Sequence, residues 1–268
     1  MLVATENGQR VEAREAKRGG VFTCPQCKRV VVFKPGRTHV PHFAHKSRKD
    51  CTWAKGETPA HLDAKNHVGT ILKASGIRTE VECHLPSLTG DRRADVLLWT
   101  PNGERLAIEL QHTSIGLDEI ERRAFSYAEQ EIAQLWVPFI KQDTIDKSEL
   151  RADGSRFLDT YSARPFEKWV HGFHKSVGMW MYCPTDKSFW KARLAPHQVW
   201  KPISEYYDEY GQEQSAGGYH HPSKQHRELT LYGPYSLDGL RIEVRQRTPF
   251  SIAHYRWPGG GIGMLIAP

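Results

Sequence analysis

The sequence predicts an α/β fold with a mixed sheet, preceded by a small metal-stapled hairpin module and followed by a C-terminal accessory region. Three observations carry this. Between residues 58 and 140 the apolar pattern runs helix, three strands, helix, strand, the order of helices laid on a sheet. Cys24, Cys27 and Cys51 cluster with His42 and His45 at metal-ligand spacing, whereas Cys83 and Cys183 stand alone, which is not the spread of a disulfide framework. Beyond Lys141 the periodicity weakens. The expected division is therefore 1–55 for the zinc-binding module, 56–145 for the core and 146–268 for the accessory region.

Composition narrows the function classes. No stretch of the 268 residues approaches the roughly 18 uninterrupted apolar positions of a spanning helix. Residues 1–20 are charged where a signal peptide would be apolar, so a cytoplasmic protein without a membrane partner is expected. Lys and Arg total 37 against 31 Asp and Glu, and the formal +6 suits a polyanionic partner. Eight Trp, ten Tyr and ten Phe can fill a core, and aromatics can also stack on bases.

In the first module, Leu2-Val3-Ala4 starts a strand within an otherwise irregular 1–20. Val21-Phe22-Thr23 runs into the knuckle Cys24-Pro25-Gln26-Cys27, and Val30-Val31-Val32-Phe33 returns before the turn at Pro35-Gly36. Such a hairpin is too small to be stable alone. Zinc supplies the missing stability, because two cysteines separated by two residues aim both thiolates at one tetrahedral ion. Cys24 and Cys27 take two of four places. His42, His45 and Cys51 compete for the others, with His45 and Cys51 favoured and His42 left to packing or support. Four protein ligands would close the site and make it structural.

The core follows. From Thr58 to Ser75, Leu62, Val68, Ile71 and Leu72 lie on one side of a helix, with Pro59 in its first turn and Gly76 closing it. Strands are expected at Ile77–Leu85, Arg93–Thr100 and Arg105–Gln111, the last two joined by Pro101-Asn102-Gly103. Leu117–Gln130 has helical spacing and Ala133–Ile140 reads as a buried strand. In the last region, Pro165–Lys175 reads as a helix, Met179–Tyr182 with Phe189–Leu194 as a hairpin, and 204–227 as a loop or mobile linker. Trp169, Trp180, Trp190 and Trp200 belong to a packed accessory domain or line a surface for nucleic acid strands.

Acidic residues converge on one end of this sheet. Glu57, His61 and Lys65 recur every four residues at the start of the first helix and share a face. Asp95 is set in an apolar strand, and Glu109 and Gln111, two apart on the next strand, face one side. Burying Asp95 beside Glu109 is costly unless a cation sits between them. These two acids with the backbone carbonyl of Leu110 form a hard oxygen set suited to Mg2+ or Mn2+, which activates water and stabilises charge on a phosphate. Gln111 would stand near the attacking water, with Lys65 or His61 on the phosphate.

As a set, Cys24-Pro25-Gln26-Cys27, His42-Phe43-Ala44-His45, Glu57 through Lys65, Arg92-Arg93-Ala94-Asp95-Val96 and Ile108-Glu109-Leu110-Gln111 followed by Ser114-Ile115 resemble the PD-(D/E)xK nuclease superfamily. Within it, they resemble most the competence protein CoiA family, in which a Cys-x2-Cys and a His-Phe-Ala-His motif precede a nuclease domain. The resemblance covers roughly residues 20–140. It implies a restriction-endonuclease-like αβββαβ core and a metal-dependent DNA nuclease or DNA-processing factor of uptake and recombination. Asp95 and Glu109 would be metal ligands and Glu57 the helix acid. Gln111 would stand where the family's lysine usually is; it brings no charge, and Lys65 supplies one from the helix. The implied partner is DNA, single-stranded or branched rather than a sequence-specific duplex, together with recombination proteins. The competing readings are a catalytically weak nucleic-acid-binding adaptor and a defence nuclease.

Overall fold

The computed structural model describes all residues except 38, 47–50, 52, 54–56, 87–91 and 176; the expected boundary at 55/56 lies outside the described residues. At the N-terminus, β1 (Val3–Glu6), β2 (Gln9–Glu12), β3 (Phe22–Thr23), β4 (Val30–Lys34) and β5 (His42–His45) form an antiparallel sheet in the order β2-β1-β3-β4-β5. Residues 1–20 are therefore not irregular beyond Leu2–Ala4. Asn7-Gly8, with φ of 50° and 81°, folds β2 back on β1, and that Asn-Gly pair was a readable hairpin signal. Phe22, Phe33 and Phe43 pack with centroids 4.9–5.9 Å apart into a core that includes Cys24, Cys51 and Trp53.

The next elements follow the expected order: α1 (Pro59–Ala74), β6 (Thr79–Leu85), β7 (Arg92–Trp99), β8 (Arg105–Gln111), α2 (Leu117–Glu129) and β9 (Ala133–Pro138). Thr58 caps α1, its hydroxyl accepting the His61 amide at 3.3 Å, and Pro59 occupies the first turn, where no donor is lost. Glu57 thus precedes the cap instead of lying on the helix. Gly69 lets α1 settle onto β6, since a Cβ there would sit 2.5 Å from Cγ1 of Val81. Strand alternation then divides the sheet. Leu62, Val68 and Leu72 of α1 pack with Val96, Leu98, Leu106 and Ile108. Leu97 and Ala107 join Ile120, Ala124 and Tyr127 of α2 on the other side.

The remaining elements are α3 (Gln142–Asp146), β10 (Glu149–Leu150), β11 (Arg156–Tyr161), α4 (Pro165–Phe173), β12 (Met179–Cys183), β13 (Ser188–Lys201), β14 (Ser204–Tyr207), β15 (Glu213–Ala216), β16 (Tyr219–Tyr235), β17 (Arg241–Arg247), β18 (Phe250–Ile252), β19 (Tyr255–Trp257) and β20 (Gly260–Ile266). A second antiparallel sheet has the order β10-β11-β16-β13-β12. Residues 204–227 are strands, not a linker: β14 pairs with β15, and β16 pairs along β13 from Tyr219 onward. The far part of that ribbon is exposed on both faces, so no apolar alternation marks it, and its order comes from backbone pairing. Trp169, Trp180 and Trp190 are buried and belong to the packing, while Trp200 is 50% exposed.

The core sheet also draws strands from beyond residue 146. Its order is β17-β20-β9-β8-β7-β6, with β9 parallel to both β8 and β20. The two sheets meet where the Ile140 amide donates to the Tyr182 carbonyl at 2.9 Å. In α4, Trp169 and Phe173 pack under Trp136 of β9, while the His174 ring accepts the Trp136 amide at 3.2 Å. No helix among the described residues is long and apolar enough to cross a membrane.

Candidate functional site

The N-terminal sheet brings Cys24, Cys27, His45 and Cys51 together, with one ligand atom from each within 4.8 Å of the others. All five cysteines of the chain are free. The Cys24 and Cys51 sulfurs are 3.8 Å apart, and Cys27 Sγ lies 3.4 Å from His45 Nε2. A tetrahedral zinc with bonds of about 2.3 Å to sulfur and 2.0–2.1 Å to nitrogen sets those edges at about 3.8 and 3.5 Å, whereas a disulfide would bring sulfurs to about 2.0 Å. The donor set and spacing fit zinc. Burial pushes the Cys24 thiol up to about 11, a cost that a coordinated cation removes. His42 is not in the cluster; its Nδ1 lies 3.0 Å from the Val40 carbonyl.

The acidic residues meet at one end of the core sheet. The β7–β8 ladder runs to Val96–Ile108, and Asp95 and Glu109 stand just beyond its end, close enough for their charges to act on each other. Asp95 Oδ2 accepts the Leu110 amide at 2.9 Å and lies 3.0 Å from His61 Nε2. Its Oδ1 is 3.9 Å from Lys65 Nζ. His61, Lys65 and the Leu110 amide hold the Asp95 carboxyl well below its ordinary range against the opposing effect of burial.

Glu109 has the opposite environment. Burial, and then the neighbouring Asp95 charge, push its carboxyl up to about 7, while Arg123, 3.6 Å away, pulls against them. The buried Tyr127 hydroxyl donates to Glu109 Oε1 at 2.5 Å. Two neighbouring acids are thus driven apart in proton affinity, one held ionised and one poised near neutrality.

Lys65 is fully buried and does not point at open cleft. Its Nζ donates to Glu57 Oε1 and, at 2.5 Å, to Glu82 Oε1. Arg93 bonds Glu57 at 3.1 Å and stacks 4.8 Å over the Trp53 ring. Glu82 was not legible as a site residue, because Glu80 and Glu82 alternate along β6 as a solvent face would. Its φ of +49°, sparsely populated for a side chain of this size, instead turns the carboxylate inward, where Oε2 also accepts the Leu2 and Val3 amides. Tyr127 was hidden for a different reason: it sits in the apolar stripe of α2 and reads as core.

Beside this cluster lies a cleft of about 500 Å3 lined by Trp53, Glu57, His61, Asp95, Gln111 and His112, with Arg92, Arg93, Arg122 and Arg123 on its walls. His112 stacks on His61 at 4.6 Å, and burial together with His61 pushes it down to about 4, so it is neutral at physiological pH. The Gln111 amide is committed to the Thr113 carbonyl at 2.7 Å. Among the described residues no third carboxylate, His or Cys joins Asp95 and Glu109 in a ready-made cluster of ligand atoms.

Comparison with known proteins finds two family models along the chain. The family model "Competence protein CoiA, nuclease-like domain" matches residues 57–206, which hold the cleft. "Competence protein CoiA, N-terminal domain" matches residues 5–54, which hold the cysteine cluster. The Competence protein CoiA of Bacillus subtilis (strain 168) is 25% identical over 196 residues, covering 70% of this chain and 46% of that protein. The chain therefore spans about half the length of that relative. No solved structure matches. With the nuclease-like model alone spanning more than half of its residues, the chain belongs to the competence protein CoiA family.

Proposed function

We propose that the chain is a divalent-metal-dependent DNA nuclease or DNA-processing protein of competence, acting in DNA uptake and recombination. The observation that carries this reading is the proximity of the buried acids Asp95 and Glu109 beside an arginine-lined cleft, inside the segment that matches a nuclease-like family model. The order α1, β6, β7, β8, α2, β9 supports a PD-(D/E)xK core, for which αβββαβ is the expected arrangement.

The donor chemistry at Asp95 and Glu109 fits a hard cation. Two buried carboxylates repel each other, and Mg2+ takes one or two carboxylates while keeping waters and substrate phosphate in its other positions. Asp95, Glu109 and the Leu110 carbonyl would hold Mg2+ or Mn2+, which supplies an activated water and offsets the charge developing on phosphorus. The side chains of this chain do the rest. His61 and the Leu110 amide orient Asp95, Tyr127 and Arg123 hold Glu109, and the cleft arginines attract the backbone. Lys65 contributes its field from within the ion-pair network in place of a lysine at position 111. A zinc held by Cys24, Cys27, His45 and Cys51 would be structural, because four protein ligands leave no open position.

A second reading, a nucleic-acid-binding adaptor with little catalytic power, is favoured by the neutral Gln111 and by the commitment of Lys65 to Glu57 and Glu82. A cleavage panel of single-stranded, duplex, flap and junction DNA with Mg2+ or Mn2+ separates the two. The nuclease reading expects cleavage of single or branched strands, reduced at least a hundredfold in Asp95→Asn and Glu109→Gln. No cleavage in either metal, with salt-sensitive binding that survives Asp95→Asn, would establish the adaptor.

A further inference from the structure

Four guanidinium groups line the cleft, and three of them have carboxylate partners. Arg93 bonds Glu57 and faces Glu82, while Arg122 and Arg123 both bond Glu119. Arg92 forms no ion pair among the described residues; burial, and then the charges of Arg122 and Arg123 from α2, act against its charge, while the Glu109 carboxylate acts for it. Two of its nitrogens, Nε and Nη2, are buried without a hydrogen-bond partner among the described residues. Those two atoms form one edge of the guanidinium plane, the fork whose parallel N–H groups match two oxygens of a carboxylate or phosphate. A buried, unpaired fork is costly unless an anion completes it.

We propose that Arg92 is the phosphate ligand of the cleft, its Nε–Nη2 fork holding two non-bridging oxygens of an internal phosphodiester in a nucleic acid strand laid beside Asp95 and Glu109. The inference rests on the nuclease reading for the identity of the strand, not for the anion site itself. Arg92 and Asp95 line the same cleft and the Glu109 charge reaches Arg92, so a phosphate on its fork lies beside the acid pair. Arg122 and Arg123 add long-range attraction but, being tied to Glu119, do not offer an empty fork. A lysine at position 92 would keep the charge and lose the two-point contact, which makes the geometry separable from the field.

The experiment uses the full chain without added Mg2+ or Mn2+, so that binding is read without cleavage and the cysteine cluster keeps its metal. Fluorescence anisotropy follows a labelled single-stranded oligonucleotide, with and without a 5′-phosphate, for wild type, Arg92→Lys, Arg92→Gln and the outlying control Arg245→Lys. Thermal melting of each variant confirms that it is folded. Arg92→Lys is expected to bind both oligonucleotides about tenfold more weakly, Arg92→Gln more weakly still with a salt slope smaller by about 0.7, and Arg245→Lys like wild type. Wild-type affinity in folded Arg92→Lys and Arg92→Gln overturns the proposal, as does failure of the wild type to bind. A loss confined to the 5′-phosphorylated strand overturns the internal assignment in favour of a terminal phosphate. A wild type that binds through Arg92 but cleaves nothing defeats the nuclease reading and leaves the phosphate site standing.

Discussion

Lys65 Nζ lies 2.5 Å from Glu82 Oε1, and neither side chain is exposed to solvent. A buried pair of this kind adds little net stability over an apolar pair, but removing one partner strands the other, at a cost of about 3–5 kcal/mol. Lys65→Met would leave Glu57 and Glu82 with fewer counter-charges in a closed space. We expect it to lose stability in that range in urea unfolding; a loss under about 1 kcal/mol would mean that Arg93 neutralises the cluster unaided.

The same cluster makes the fold acid-sensitive. Glu57 and Glu82 are held below their ordinary range by Lys65 and Arg93 against the opposing effect of burial, and Asp95 by His61 and Lys65. For such groups the unfolded chain takes up protons first. Their contribution is complete above the unfolded carboxylate range, about pH 4, and is lost as pH falls below it. Thermal melting should drop steeply below pH 4 in wild type and less steeply in Glu82→Gln, measured from that variant's own lower starting point.

Glu109 runs the other way. Its folded value near 7 lies above the unfolded one, so the folded state holds the proton longer and stability declines between about pH 4.5 and 7. The slope is at most about 1.4 kcal/mol per pH unit for one group. Glu109→Gln should flatten that decline while leaving the acid limb in place. Mn2+ should raise the wild-type melting temperature at pH 8 more than at pH 5, and not in Asp95→Asn; equal shifts at both pH values would argue against a metal at this pair.

Zinc assignment is decided by two histidines. His45→Ala should lose bound zinc and lower the melting temperature, whereas His42→Ala should retain one zinc per chain by elemental analysis. Cys24→Ser and Cys51→Ser should behave like His45→Ala. Retention in His45→Ala with loss in His42→Ala would reverse the ligand set.

Trp136 of β9 leans on the C-terminal half of the chain, through Trp169 at 5.8 Å and through its amide to His174. Burial pushes His174 down to about 3, which keeps the ring neutral and able to accept. A chain ending at residue 145 also lacks β20, the partner of β9, and should show no cooperative melt. His174→Ala in the full chain should cost about 2–4 kcal/mol from the orphaned amide and the lost packing. A truncated chain that melts cooperatively would show that residues 1–145 fold without the C-terminal half.

The sequence by itself determined the helix and strand order from Thr58 to Ile140, because period, caps and turn residues are local. It also determined the cysteine knuckle and the Asp95 and Glu109 strands, since ligand spacing and an acid in an apolar run survive in one dimension. Only the tertiary structure decided which residues complete these sites. His45 and not His42 faces the thiols because alternation on β5 points them to opposite sides. Glu82 enters the acid cluster through a left-handed backbone that no alternation rule anticipates, and Tyr127 looks apolar until it meets Glu109. The C-terminal strands of the core sheet and the long β13–β16 ribbon were invisible for the same reason: their order comes from pairing with strands distant in sequence, not from a pattern of their own.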